Sequence, residues 1–272
     1  MPESILNPAP DGGGDHGVIA FYREVMQALK DAGIPFLVGG AYALSYYTGV
    51  SRYTKDLDVF IMRRDYGRVS KALQQAGYAT ELLYPHWLAK ACFKDDFVDL
   101  IFSSGNGVAE VDEGWFERAP AVEVLDVPVR ICAVEETIWS KAFVMERERY
   151  DGADIAHLLR ACAESIDWHR LLNRFLPHWR VLLSHLTLFG FVYPTHRDLI
   201  PQWLMEDLIE RLRQEVSEPA PDRQVCAGTL LSREQYLIDV GEQGYQDARI
   251  QPLGNMTEKE AAIWTQAIKS AH

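Results

Sequence analysis

The sequence predicts an α/β fold of the α+β kind, a small mixed sheet with covering helices followed by a mostly helical C-terminal half. Short apolar runs bounded by Gly, Pro and Asp fill residues 34–132, whereas after residue 133 apolar positions recur at helical spacing. The composition is that of a folded globular chain: 272 residues, 48% hydrophobic and 24% charged, long enough to bury a sizeable core.

Residues 1–16, with Pro2, Pro8, Pro10 and the Gly12-Gly13-Gly14 run, read as a flexible arm. That run lacks a following Gly-Lys-Ser/Thr and so is no P-loop. Val18, Phe21, Tyr22, Val25, Met26 and Leu29 then recur at helical spacing, and Gly33 closes that helix. Residues 36–38 are a short apolar strand running into Gly39-Gly40, followed by a helix over 41–47 and a loop over 48–52. Residues 56–61 form a strand, 65–75 a helix closed by Gly77. Strands at 88–93 and 97–102 bracket a turn at Lys94-Asp95-Asp96. A hairpin over 121–125 and 129–132 turns at Asp126-Val127-Pro128.

The second half reads as helices over 134–148, 153–162, 168–175, 178–189, 199–216, 233–240 and 258–270. Ser232 with Gln235, and Thr257 with Glu260, have capping-box spacing. The domains expected are therefore the arm, an α/β domain over 17–133 and a helical domain over 134–272. The most apolar stretch, 181–193, is interrupted by Ser184, His185 and Gly190. It is too short to span a bilayer and reads as a buried core helix.

Charge and cysteine usage narrow the partners. The net charge is −12, divided evenly at residue 133, so neither half is a basic domain and no tight nonspecific nucleic-acid binding is expected. Cys92, Cys132, Cys162 and Cys226 are dispersed with no CxxC, which favours free thiols in a reducing compartment. The eight histidines form no HExxH pattern. No charged segment followed by an apolar stretch opens the chain, so no secretory leader is expected, and a cytoplasmic, non-membrane location follows.

The chemistry-bearing residues are acids. In 56–61, Leu57, Val59 and Ile61 point to one face, and Asp56 and Asp58 to the other, about 7 Å apart along the strand. Two carboxylates that close repel unless a cation lies between them, and Mg2+ prefers such hard oxygens. Taken alone, Asp-x-Asp in a strand is more often a solvated edge. Asp99, however, sits mid-way in the apolar run Phe97-Val98-Asp99-Leu100-Ile101-Phe102, where a lone carboxylate costs several kcal/mol. Beside the first strand it completes a three-acid cluster, able to bind a second metal or take a hydroxyl proton. Gly39-Gly40, between strand and helix, lets backbone N–H groups approach a phosphate, or is a plain tight turn.

Val38-Gly39-Gly40, Asp56-Leu57-Asp58-Val59 and Val98-Asp99-Leu100 together resemble the nucleotidyltransferase superfamily, whose fold is that of DNA polymerase beta. Fifteen residues separate Gly40 from Asp56, a longer loop than is usual there, and Gly40 replaces the serine of many members. Farther on, Glu135-Glu136…Lys141 and Arg149…Asp151…Asp154-Ile155 resemble the later motifs of abortive-infection (AbiEii-like) nucleotidyltransferase toxins.

Read without the resemblance, Lys141 lies on the apolar stripe of Val134, Ile138, Val144 and Met145 and must snorkel, pair with an acid or face a cleft. Asp151 has the placement of an N-cap, and Asp154 falls in the first turn. The resemblance implies instead that Lys141 binds phosphate and that Asp151 or Asp154 supports the cleft.

It also implies a Mg2+-dependent transfer of a nucleoside monophosphate from a nucleoside triphosphate to an acceptor hydroxyl. The acceptor would be a small molecule, a protein or an RNA end. Asp56 and Asp58 would hold the metal and Asp99 would activate the hydroxyl, while Gly39 and Gly40 would position phosphates. The alternative is a non-catalytic nucleotide-binding or protein-interaction member of the same fold.

Overall fold

The computed structural model describes residues 16–50, 54 and 56–269. The expected arm lies outside these residues except for His16, which opens the first helix, and Ser51 and Arg52 of the expected loop lie outside them too. The chain forms two compact units that divide between Ala133 and Val134.

The first unit contains α1 (His16–Asp31), β1 (Leu37–Val38), α2 (Gly40–Thr48), β2 (Leu57–Phe60), α3 (Tyr66–Gln75), β3 (Ala79–Tyr84), β4 (Leu88–Phe93), β5 (Asp96–Ile101), α4 (Gly114–Glu117), β6 (Ala121–Val124) and β7 (Val127–Arg130). Five strands form a sheet in the order β1-β2-β5-β4-β3. Only β2 and β5 pair in parallel, and the chain between them supplies α3 as the crossover that parallel pairing requires. The remaining pairings are antiparallel, so the sheet is mixed.

Side-chain alternation then divides chemistry from packing. Leu57, Val59, Ile61, Val98, Leu100, Ala89 and Ala91 are all wholly buried in one core with Val25, Met26 and Leu29 of α1 and Val69 and Leu73 of α3. Burying each of the larger side chains contributes about 1.5–3 kcal/mol, which fixes the register because a one-residue slip would turn the whole set outward. The residues between them (Asp58, Asp99, Lys90) are thereby placed on the opposite face.

Two elements of this unit escape the sequence reading. Strand β3 lies at the sheet edge with Glu81 and Leu82 exposed, so it carries no clean apolar alternation. Helix α4 is one turn long, and its Trp115 is fully buried with its ring stacked on Phe60 at 5.2 Å. The hairpin turn also moves. Leu125 (φ 50°) and Asp126 (φ 63°) form it, both left-handed as a primed two-residue turn demands, and Val127 and Pro128 belong to β7. Arg23 holds this turn, its Nε donating to the Leu125 carbonyl at 2.7 Å and its guanidinium pairing with Asp126.

The second unit contains α5 (Val134–Ala142), α6 (Gly152–Cys162), α7 (Trp168–Phe175), α8 (Trp179–Val192), α9 (Gln202–Ser217), β8 (Val225–Cys226), α10 (Leu237–Gly241), β9 (Gln246–Asp247) and α11 (Glu258–Lys269). The helix expected over 134–148 ends at Ala142, whose carbonyl accepts from Nε2 of the buried His185 at 2.8 Å. Val144 and Met145 therefore leave the helical stripe, and Met145 bridges Tyr150 instead. The helix expected from residue 199 starts at Gln202, because Pro201 separates it from a short 3-10 turn over Pro194–Leu199.

Thr257 and Glu260 do form a reciprocal capping box: Oε2 of Glu260 accepts from the Thr257 N–H at 2.8 Å and Oγ1 of Thr257 from the Glu260 N–H at 3.3 Å. Ser232 accepts from the Gln235 N–H at 3.1 Å, but α10 begins only at Leu237, so that motif caps a turn. Helix α8 is not buried throughout: Leu182, Leu186 and Phe189 are, whereas Phe191 is 84% exposed. No helix among the described residues is long and apolar enough to cross a membrane, and all four cysteines are free thiols.

Candidate functional site

In the parallel pairing of β2 with β5, Asp58 stands directly opposite Asp99, and on the other flank of β5 Lys90 of β4 is opposite Asp99. Sheet register thus writes one row, Asp58-Asp99-Lys90, across three strands. Asp56 lies just before β2 on the same side, its Oδ1 accepting from the Thr54 hydroxyl at 2.6 Å. One oxygen from each of Asp56, Asp58 and Asp99 falls within 4.8 Å of the others. Each of these residues is partly exposed, so the cluster opens to a surface.

Strand β1 brings the glycine turn to this cluster. Its antiparallel ladder with β2 continues one step further, the Gly39 N–H donating to the Asp58 carbonyl at 3.0 Å. Gly40, the first residue of α2, has φ +55° and presses on the Asp58 side chain: a Cβ there would overlap Oδ2 and lie 2.6 Å from Cγ. A Cβ on Gly39 would overlap the edge of the Phe60 ring, with Cδ2 at 2.7 Å. The two glycines are thus demanded by close approach, and Gly40 also by its backbone. The carboxylate of Asp58 rests at the N-terminal end of α2, where the helix dipole favours negative charge.

Electrostatics mark the same place. Burial pushes the Asp99 carboxyl above the usual carboxylate range; the Lys90 charge draws it back and Asp56 raises it again. Burial, then the charges of Asp56 and Asp58, push the Tyr42 phenol up to about 12. Burial, Tyr42 and the charges of Asp56, Asp96 and Asp99 raise Tyr22 as well. Both phenols therefore stay neutral beside the acids.

The donor set fits a hard divalent cation. Three carboxylate oxygens converge, and Oδ1 of Asp99 is buried without an aligned hydrogen-bond donor, its neighbour being the Lys90 ammonium at 3.3 Å. Ligand oxygens on opposite sides of a small divalent ion are about 4 Å apart, and these oxygens all lie within 4.8 Å of one another.

Lys141, Asp151 and Asp154 also come together, in the second unit. The Lys141 ammonium is 2.9 Å from Asp154 Oδ2 and 3.3 Å from Asp151 Oδ2. Arg149 adds two contacts of 3.1 Å to the Asp151 carboxylate. Asp151 does occupy the N-cap position of α6, but its side chain makes no capping bond, because these cations engage it. Burial raises the Asp151 carboxyl, yet Arg149 and Lys141 outweigh that and hold it below the usual range. Nearby, Glu136 is fully buried between Arg170 at 2.7 Å and Arg174 at 3.0 Å.

Lys90 is the site residue that the sequence did not single out. A lysine alternating with alanines in Leu88-Ala89-Lys90-Ala91 reads as a solvated strand face, and only the register places it against Asp99. Thr54, two residues before Asp56, carried no signal either.

A structural comparison finds the antibiotic-resistance factor ANT(2'')-Ia similar, with TM-score 0.44 and 20% identity over 63% of this chain and 97% of that one. An antigenic nucleotidyltransferase-like protein from Paracoccidioides brasiliensis gives TM-score 0.44 and 14% identity, covering 68% of this chain and 92% of that one. The lincosamide antibiotic adenylyltransferase LnuA, lincomycin-bound, gives 0.36 and 14%, covering 52% and 94%. Likenesses this distant assign neither activity nor substrate. No curated protein matches. A family model described as uncharacterised nucleotidyltransferase matches residues 15–178, which include the strand-borne acids, the glycine turn and the Lys141 cluster. With more than half of its length matched, the chain belongs to this family of uncharacterised nucleotidyltransferases.

Proposed function

We propose that the protein transfers a nucleoside monophosphate from a nucleoside triphosphate to an acceptor hydroxyl, with Asp56 and Asp58 holding Mg2+ and Asp99 acting as the base. The observation that carries this reading is the convergence of Asp56, Asp58 and Asp99 on one face of the sheet, within a chain of the nucleotidyltransferase family. When bound, the ion supplies positive charge to the triphosphate oxygens. Asp99, whose carboxyl is raised by burial, accepts the proton of the attacking hydroxyl. Gly40 lets Asp58 and the start of α2 approach each other, and the first N–H groups of that helix, which lack intrahelical acceptors, face the phosphates. Gly39 serves by close approach, since its own N–H is committed to the Asp58 carbonyl.

Lys141 takes a different part. Its ammonium is engaged by two carboxylates, so we assign the Lys141-Asp151-Asp154 cluster to fixing the start of α6 against α5. A phosphate contact by Lys141 would require it to leave Asp154. The acidic chain favours a small-molecule or protein acceptor over an RNA end. We place the protein in the cytoplasm, consistent with its four free thiols. The finer resemblance to abortive-infection toxins gains no support from the structural likenesses and carries no part of this proposal.

Titration calorimetry with ATP, GTP, CTP and UTP tests the reading. Wild type should bind at least one nucleotide with Mg2+ and lose that binding on chelation or in Asp58→Ala. Binding of no nucleotide, or binding indifferent to both changes, would sink it.

A further inference from the structure

Three carboxylates around one point carry a formal charge of −3, and carboxylate sites of this kind hold either one divalent ion or two. The side chain that decides between them is Lys90. It reaches Asp99 from the neighbouring strand β4, its Nζ 3.3 Å from Oδ1, and it is about four-fifths buried. The same ammonium lies 3.0 Å from the centre of the Phe97 ring, and Phe97 is two residues before Asp99 on the same face of β5. Two independent partners therefore hold the ammonium in place, one by charge and one by the negative face of an aromatic ring. Asp58 stands on the far side of Asp99 in the row, so the fixed cation and the Asp56–Asp58 pair flank Asp99 from opposite sides.

We propose that Lys90 is the resident cation of the site: it takes the place beside Asp99 that a second divalent ion would fill, so that the cluster binds one divalent ion at the Asp56–Asp58 side. In the nucleotide-free chain one divalent ion plus the Lys90 ammonium matches the three carboxylate charges, whereas two divalent ions plus the ammonium would overcharge the cluster. Pairing with Lys90 also constrains the Asp99 carboxylate, so its second oxygen is the one presented to the acceptor hydroxyl. Lys90 is then a positioning residue that acts through Asp99. This inference rests on the metal-binding reading above.

The test counts bound ions rather than turnover. Mn2+, added as its chloride to the full chain, is titrated by electron paramagnetic resonance, which reads free Mn2+ directly. Wild type should bind one Mn2+ per chain, Lys90→Gln two, and Lys90→Arg one. A wild-type count of two, or a Lys90→Gln count that stays at one with its melting curve unchanged, would overturn the role of Lys90 while leaving the metal site standing. A wild-type count of zero would overturn the metal site itself. Should Lys90→Gln misfold, Lys90→Met, which keeps the apolar stem beside Phe97 but not the charge, is counted instead, and a count of one in that folded variant overturns the role of Lys90.

Discussion

Gly40 and Asp58 constrain one another more tightly than any other pair at the site. The backbone of Gly40 is left-handed at φ +55°, and the space where its Cβ would go is occupied by the Asp58 carboxylate. Gly40→Ala therefore adds a steric clash to a conformational penalty of about 1–2 kcal/mol. It should lower the melting temperature by several degrees and abolish Mg2+-dependent nucleotide binding, read by differential scanning calorimetry and titration calorimetry. Binding that survives at wild-type strength would show that the turn can relax without disturbing Asp58. At Gly33, also left-handed at φ +60° but with open space around a would-be Cβ, alanine should cost stability alone.

Among the elements, β2 declared itself by alternation and β5 by its apolar run, and the site came with them. Leu57, Val59 and Ile61 pack on the core, so Asp58 had to face the other way, and Asp99 within an apolar run announced a carboxylate needing a partner. What the chain pattern left hidden depended on pairing between distant segments. Lys90 meets Asp99 only through the β4–β5 register, and Leu125 takes positive φ in a turn that Arg23, about a hundred residues away, holds. Val144 and Met145 continue the apolar stripe expected of a helix over 134–148, yet α5 stops at Ala142, whose carbonyl accepts from His185 of α8.

That contact has a pH signature. Burial lowers the His185 pKa below 6.5, and its bond to the Ala142 carbonyl only partly offsets this. Its contribution to stability is therefore complete above 6.5 and is lost as pH falls through the depressed folded value, because the unfolded chain takes up the proton first. Thermal melts should decline as pH drops from about 7 towards 5, and His185→Gln, which keeps a donor, should flatten that decline. An unchanged slope in the variant would assign the decline elsewhere.

At the scale of the whole molecule, the two units divide their tasks by charge placement, not by net charge, which is the same in both. In the first unit, three acids share one face with the Lys90 ammonium among the described residues. In the second, cations meet the acids: Asp151 and Asp154 face Lys141 and Arg149, and Glu136 faces Arg170 and Arg174. An unbalanced cluster is what a cation site requires, and a balanced one is what holds helices together. The most direct measurement follows label from a nucleoside triphosphate carrying 32P at its α-phosphate, incubated with Mg2+ and candidate acceptors, for wild type and Asp99→Asn. Wild type should pass the label to an acceptor with release of pyrophosphate, while the variant still binds nucleotide but transfers none. Undiminished transfer by Asp99→Asn, or nucleotide bound by wild type and never transferred to any acceptor class, would contradict the account.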